Sequence, residues 1–251
     1  MMKRNILISA FLFLVTLTIN AQNDTMYVMK DGYILYQNKT TEIDSIIFYY
    51  PYEITVTDID SNVYPVVIIG TQYWMAENLK TIRYNDNTTI PLVTSTSAWT
   101  NLTSAAYCWY DNDSATYASA YGALYNWKAV DTDKLCPTGW HVPTNNEWIT
   151  MLDYVGGDTI AASKLKETGN THWTSSNEDA TNETGFTALP GGYRGTNGSF
   201  LRLGTSGHWW TATSYSSTHA IAKSMSSDTS LVNSGNANKC VGGMSIRCVK
   251  D

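Results

Sequence analysis

The sequence predicts an α+β fold in which short helices and small twisted antiparallel sheets are joined by long loops. Three observations carry this. Thr144 can cap a helix with its hydroxyl, and Glu147, three residues later, can reach back to the Thr144 amide, a capping box; Trp148, Met151, Leu152 and Val155 then recur at i, i+3, i+4 and i+7, one apolar helix face. Runs rich in β-formers flank turn signals, among them Asp31-Gly32, a strong two-residue hairpin cue. Between residues 83 and 119 the chain is polar and turn-rich, which reads as long loops, and loops of that length commonly carry function.

Taken in order, residues 1–21 read as a secretory signal peptide. Lys3 and Arg4 form the positive start, 6–19 the apolar stretch, and Ala21 a small residue for cleavage. That stretch falls short of the ~20 residues a membrane-spanning helix needs. The expected location is therefore secreted, periplasmic or cell-surface, with no membrane span in the mature chain. Residues 22–52 read as a small β module or spacer. Strands at 26–29 and 33–36 flank Asp31-Gly32, a third apolar strand runs over 43–50, and Pro51-Tyr52 marks the boundary.

Residues 53–251 form the main domain. It opens with a hairpin, 53–57 against 63–69, and continues with a strand at 73–77. A short helix is expected over 122–130, with Leu124 and Trp127 facing inward. The capped helix follows and stops at Gly156-Gly157, and another short helix spans 159–167. Strands and loops make up the remainder.

Composition narrows the function classes. Charged residues are 15% of the chain and the net charge is −6, which argues against nucleic acid as a partner, since that calls for a basic patch. Nine Trp and seventeen Tyr stand among many Asn, Ser and Thr, a mixture suited to extracellular binding surfaces. Four cysteines in an exported chain point to disulfides, and the residues alone leave all three pairings open.

Motifs for catalysis are absent. There is no His-Glu-x-x-His or Cys-x-x-Cys, and His141, His172, His208 and His219 are scattered. No Gly-x-Ser-x-Gly occurs. Glu77, Asp111, Asp113 and Asp153 supply acids, but no pair stands out for glycoside hydrolysis, and Glu147 is most simply a cap. Two fragments resemble part of a calcium loop: Asp58-x-Asp60-x-Asn62, which has Val63 where the turn needs Gly, and Asp111-x-Asp113. The expectation is a non-catalytic protein with no cofactor and no bound metal.

Five ordered stretches carry a family resemblance. They are Val56-Thr57-Asp58-Ile59-Asp60 with Tyr73-Trp74-Met75-Ala76-Glu77-Asn78-Leu79; Tyr107-Cys108-Trp109-Tyr110-Asp111 with Tyr121-Gly122-Ala123-Leu124-Tyr125-Asn126-Trp127; Cys136-Pro137-Thr138-Gly139-Trp140-His141-Val142-Pro143-Thr144 with Glu147-Trp148; Gly185-Phe186 with Pro190-Gly191-Gly192-Tyr193-Arg194; and Trp209-Trp210-Thr211 with Ser245-Ile246-Arg247-Cys248. From Glu53 to Asp251 the chain resembles the Fibrobacter succinogenes major paralogous domain family of secreted or surface-attached bacterial proteins. The Pro-Thr-x-x-Glu-Trp, Gly-Gly-Tyr-Arg and Ser-Ile-Arg-Cys patterns are also similar to the wider C-type-lectin-like fold, in the branch that includes formylglycine-generating enzymes. That resemblance implies a C-type-lectin-like domain and a bridge from an early core cysteine to the last strand, Cys136 to Cys248. Cys108 and Cys240 are left for a second bridge. The lectin calcium motifs Glu-Pro-Asn and Trp-Asn-Asp are missing, and Cys240 and Cys248 are not spaced as the catalytic cysteines of the enzymes are.

Fold alone does not give function. The residues singled out for ligand contact are Trp210, Tyr215, His219, Asn233, Asn236 and Asn238, in a polar C-terminal segment set between two patterned strands. Trp210 is placed as an aromatic floor or a core residue. The ligand expected is a glycan or a surface protein. A polysaccharide-acting enzyme, or a structural or pilus-tip component, is the alternative.

Overall fold

The structure is a computed structural model that describes residues 7–8, 25–30, 33–39, 41, 54–174, 176–177 and 179–251. The chain divides into two units, Met1–Tyr52 and Glu53–Asp251. In the first, β2 (Thr25–Lys30) and β3 (Tyr33–Lys39) pair antiparallel on either side of Asp31-Gly32. Within the stretch read as a signal peptide, β1 (Leu7–Ile8) pairs in parallel with Tyr27 and Val28 of β2. The strand expected over 43–50 lies outside the described residues.

The second unit is mixed α+β. Its elements are β4 (Thr55–Thr57), β5 (Val63–Ile69), β6 (Gln72–Met75), α1 (Thr96–Thr100), β7 (Tyr107–Cys108), α2 (Ser114–Tyr121), β8 (Leu124–Tyr125), α3 (Trp127–Val130), β9 (Trp140–His141), α4 (Asn145–Tyr154), α5 (Asp158–Leu165), β10 (Gly191–Arg194), β11 (Phe200–Leu203), β12 (Ser206–Ser214), β13 (His219–Ser226), β14 (Val232–Asn238) and β15 (Val249–Lys250). One five-stranded sheet has the order β4-β5-β6-β15-β9, so the last strand lies between β6 and β9. A second has the order β11-β10-β12-β13-β14, and β7 and β8 form a pair of their own. Among the described residues no helix is long and apolar enough to cross a membrane.

The capped helix is present as read. Thr144 Oγ1 accepts from the Glu147 amide at 3.2 Å, and Glu147 Oε2 accepts from the Thr144 amide at 2.7 Å. Trp148, Met151 and Leu152 are buried along its inner face. The helix expected over 122–130 is corrected: Leu124 and Tyr125 are strand, and only Trp127–Val130 is helical, started by the Asn126 side chain. The stretch read as loops contains α1 and α2. No residue of α2 is buried, so its sequence has no apolar period to reveal it.

The adjacent tryptophans of β12 explain the layering. Successive strand residues face opposite sides, so Trp210 enters a core with Tyr125, Cys136, Ala220, Ala222 and Cys248. Trp209 enters another with Trp74, Trp148, Met151, Phe186 and Met225. The bridge joins Cys136 to Cys248, with 6.0 Å between the Cα atoms. The second bridge is corrected: Cys108 is a free, buried thiol whose pKa burial pushes up to about 12, and Cys240 is a free thiol in a half-buried turn.

Asn78 and Arg247 join the two sheets at a buried polar centre. Asn78 Oδ1 accepts from Trp209 Nε1 and from Arg247 Nε, each at 2.9 Å. Arg247 also donates to the carbonyls of Met75, Phe186 and Thr187, and its guanidinium lies 4.3 Å over the Phe186 ring.

His141 ties the start of α4 to the last strand. Its Nε2 lies 2.8 Å from Glu147 Oε1 and its Nδ1 2.6 Å from Asp251 Oδ1. Burial opposes charge on the ring, but the hydrogen bonds to Asp251 and Glu147 outweigh it and raise its pKa above 6.5. A folded-state pKa above the unfolded one gives stability that is full below about pH 6.5 and is lost as pH rises through the folded value. Melting temperature should therefore fall on going from pH 6 to pH 9, and by less in His141→Gln. Equal profiles in both proteins would contradict this.

Candidate functional site

The second sheet holds an open, polar half-face. In antiparallel pairs, residues directly opposite share a face. His208 of β12 is opposite Ser224 of β13, and Ser224 is opposite Asn233 of β14. One row over, Ser206 is opposite Ser226. Trp210 and Ala222 lie on this same face but under the core. Where that core ends, the polar pairs become the floor of a cleft of about 450 Å³. Tyr193 of β10 and Arg202 of β11 form one side, and Ser227 and Asp228 the rim.

The cleft is held from several directions. Tyr193 reaches the floor because Gly192 is opposite Gly207, which sets β10 parallel to β12. Its ring centroid lies 4.6 Å from that of His208. Lys166 is buried beneath the rim, and its ammonium donates to the carbonyls of Ser226, Ser227 and Thr229 at 3.1, 3.4 and 3.1 Å.

His208 is the main electrostatic feature. Burial, aided by the Arg202 cation, pulls its pKa down to about 4, so the ring is neutral at physiological pH. The Ser206 hydroxyl donates to the Met225 carbonyl at 3.1 Å and sits 2.9 Å from His208 Nε2. The neutral ring carries one N–H donor and one lone pair. The floor thus offers a neutral imidazole, hydroxyls at Ser224 and Ser226, and one charge of each sign at Arg202 and Asp228.

The residues chosen from sequence are divided by this geometry. Trp210 is not an aromatic floor: it is 0% exposed and its indole donates to the Tyr125 carbonyl at 2.9 Å. Tyr215 is 65% exposed at the turn between β12 and β13, where its amide donates to the His219 carbonyl. His219 and Asn238 are opposite each other near that turn, and Asn236 is two residues along β14. Asn238 Oδ1 accepts from the amides of Cys240 and Val241, so it holds a turn. Asn233 stands apart, because strand alternation puts it on the opposite face from Asn236 and Asn238, beside Ser224 and the cleft.

Tyr193, Arg202, Ser206 and Asp228 are not among the residues the sequence marks for ligand contact, and His208, Ser224 and Ser226 stand out there only as part of the polar C-terminal segment. The spacings Ser206-x-His208 and Ser224-x-Ser226 were a signal of polar strand faces; what joins them is strand register.

Three of the four carboxylates in the calcium-like fragments are engaged in hydrogen bonds within the chain. Asp58 accepts from the amides of Asp60 and Asn62, the Asn62 side chain and the Tyr64 hydroxyl. Asp60 is filled by Thr81, Ile82 and Arg83. Asp113 caps α2 through the Thr116 amide and hydroxyl. Among the described residues no three His, Cys, Asp or Glu side chains cluster as metal ligands.

No curated protein and no solved structure matches this chain. The sequence pattern of the Fibrobacter succinogenes major domain (Fib_succ_major) matches residues 67–250, which takes in β6, the disulfide and every residue of the cleft. The chain belongs to the Fibrobacter succinogenes major domain family.

Proposed function

We propose that this chain is an exported, non-catalytic carbohydrate-binding protein of the bacterial cell surface, with a C-type-lectin-like domain and its ligand site in the Tyr193–His208 cleft. One observation carries the reading: polar side chains from neighbouring strands line a cleft of about 450 Å³ beside an aromatic ring. Ring faces stack on the apolar faces of sugars, while hydroxyls, amides and an imidazole lone pair bind their hydroxyls. A few placed polar groups in a concave site are the general pattern for small ligands. Export rests on the charged and apolar leading segment, and the Cys136–Cys248 bridge supports it, because such bridges persist in oxidising compartments. A non-catalytic role is favoured by the Ser206–His208 contact. The Met225 carbonyl, 3.1 Å from the Ser206 hydroxyl, competes for its proton, and an imidazole with a pKa of about 4 is a weak base at neutral pH.

The test is calorimetric titration of the purified chain with a panel of oligosaccharides, beside Tyr193→Ala. Loss of this ring should weaken binding by about tenfold or more, as for a single aromatic anchor, with the melting temperature within a few degrees of the parent. Unchanged affinity in a folded Tyr193→Ala protein would remove the cleft as the site. The exposed ring of Tyr215 favours a second reading, contact with a partner protein at the β12–β13 turn. Loss of affinity in Tyr215→Ala but not in Tyr193→Ala would select it.

A further inference from the structure

The floor of the cleft continues past Ser224 onto β14. Tyr193, His208, Ser224 and Asn233 come from β10, β12, β13 and β14, which are neighbours in the sheet. Ring contact puts the first two side by side, and strand register puts the last three in one line. Adjacent strands are about 4.8 Å apart, so the four side chains form a row about 14 Å long that runs across the strands. Asn233 is exposed, makes no side-chain hydrogen bond among the described residues, and sits on the last strand of the sheet. The row is therefore open at the β14 end. Along one flank it is bounded by Trp210 and Ala222 under the core, and along the other by Ser206, Ser226 and the rim that Lys166 holds.

We infer that the site takes a linear, neutral oligosaccharide lying across the strands, with at least three sugar units in contact and Asn233 as the outermost contact. This rests on the carbohydrate reading above. A row of side chains repeating at strand spacing meets a polymer that repeats on a similar scale, whereas a single sugar would fill only part of it. Neutrality follows from the lining. Tyr193, neutral His208, Ser224 and Asn233 bring no charge, and Arg202 and Asp228 bring one of each sign.

The experiment is titration of the full chain with cello-, xylo-, manno- and chito-oligosaccharides of one to six units, for the parent and for Asn233→Ala. In at least one series, affinity should rise with each unit to three or four and then level off. Asn233→Ala should lower affinity for the tetramer by about fivefold, the scale of one lost hydrogen bond, and for the dimer by less than half of that. Binding that is already maximal with one unit, or an Asn233→Ala protein that matches the parent at every length, would overturn the inference and leave the carbohydrate reading in place. No binding by any series would overturn both.

Discussion

Arg247→Met is expected to be among the most damaging single changes in this chain, with a loss of stability of about 3–5 kcal/mol. Arg247 is fully buried, and its guanidinium donates to Asn78 Oδ1 and to three backbone carbonyls. Burial pulls its pKa down to about 9, so it remains charged at neutral pH. Methionine fills similar volume and removes the desolvation cost of the charge. It leaves the Met75, Phe186 and Thr187 carbonyls and half of the Asn78 oxygen's bonding without donors, and each unsatisfied buried acceptor costs about 1–3 kcal/mol. Arg247→Lys should fall between the two, because one ammonium cannot reach four acceptors spread in a plane. Urea denaturation checks this. A midpoint for Arg247→Met within the error of the parent would show that the polar centre contributes little.

Removal of the disulfide is expected to cost about 5 kcal/mol in the chain-entropy account. Cys136 and Cys248 are 112 residues apart, so the bridge closes a long loop. It also fastens the segment leading into β9 to the segment leading into β15, and β15 lies between β6 and β9. The double variant Cys136→Ala with Cys248→Ala tests the bridge without leaving a new free thiol. Its melting temperature should drop well below the parent's. Under non-reducing peptide mapping, the parent should show Cys136 joined to Cys248 and unmodified thiols at Cys108 and Cys240. A Cys108–Cys240 peptide would contradict the structure.

What the sequence reveals here is mainly what is local. The Thr144–Glu147 capping box, the helix face of Trp148, Met151 and Leu152, and the first hairpins each depend on residues within about one turn or one loop, and each is present. α2 escapes such a reading because Tyr117 and Tyr121 are only half-buried and no residue of the helix is fully buried. Leu124 and Trp127 are spaced as one inward helix face, yet β7 takes Leu124 and Tyr125 as strand partners. The Cys136–Cys248 pair came from family resemblance, and no spacing rule would have chosen it.

The cleft is harder to read because it is a product of register. Nothing near Ser224 indicates that it will stand between His208 and Asn233. The C-terminal asparagines show the limit clearly. By composition Asn233, Asn236 and Asn238 are one group, but strand alternation sends the first to the cleft face and the others to the opposite side. Trp210 was legible as part of a patterned strand. Its direction was not, because Trp209 and Trp210 differ only in which core each enters.

The central claim is that ligand binds on the open half of the second sheet. The most direct measurement is an amide chemical-shift titration of the isotope-labelled chain with the oligosaccharide that binds most tightly in the panel. Shifts concentrated at residues 192–194, 206–208, 224–228 and 233, with little change over 214–219, are the predicted result. Shifts confined to the turn around Tyr215 and His219, with the cleft unaffected, would contradict it.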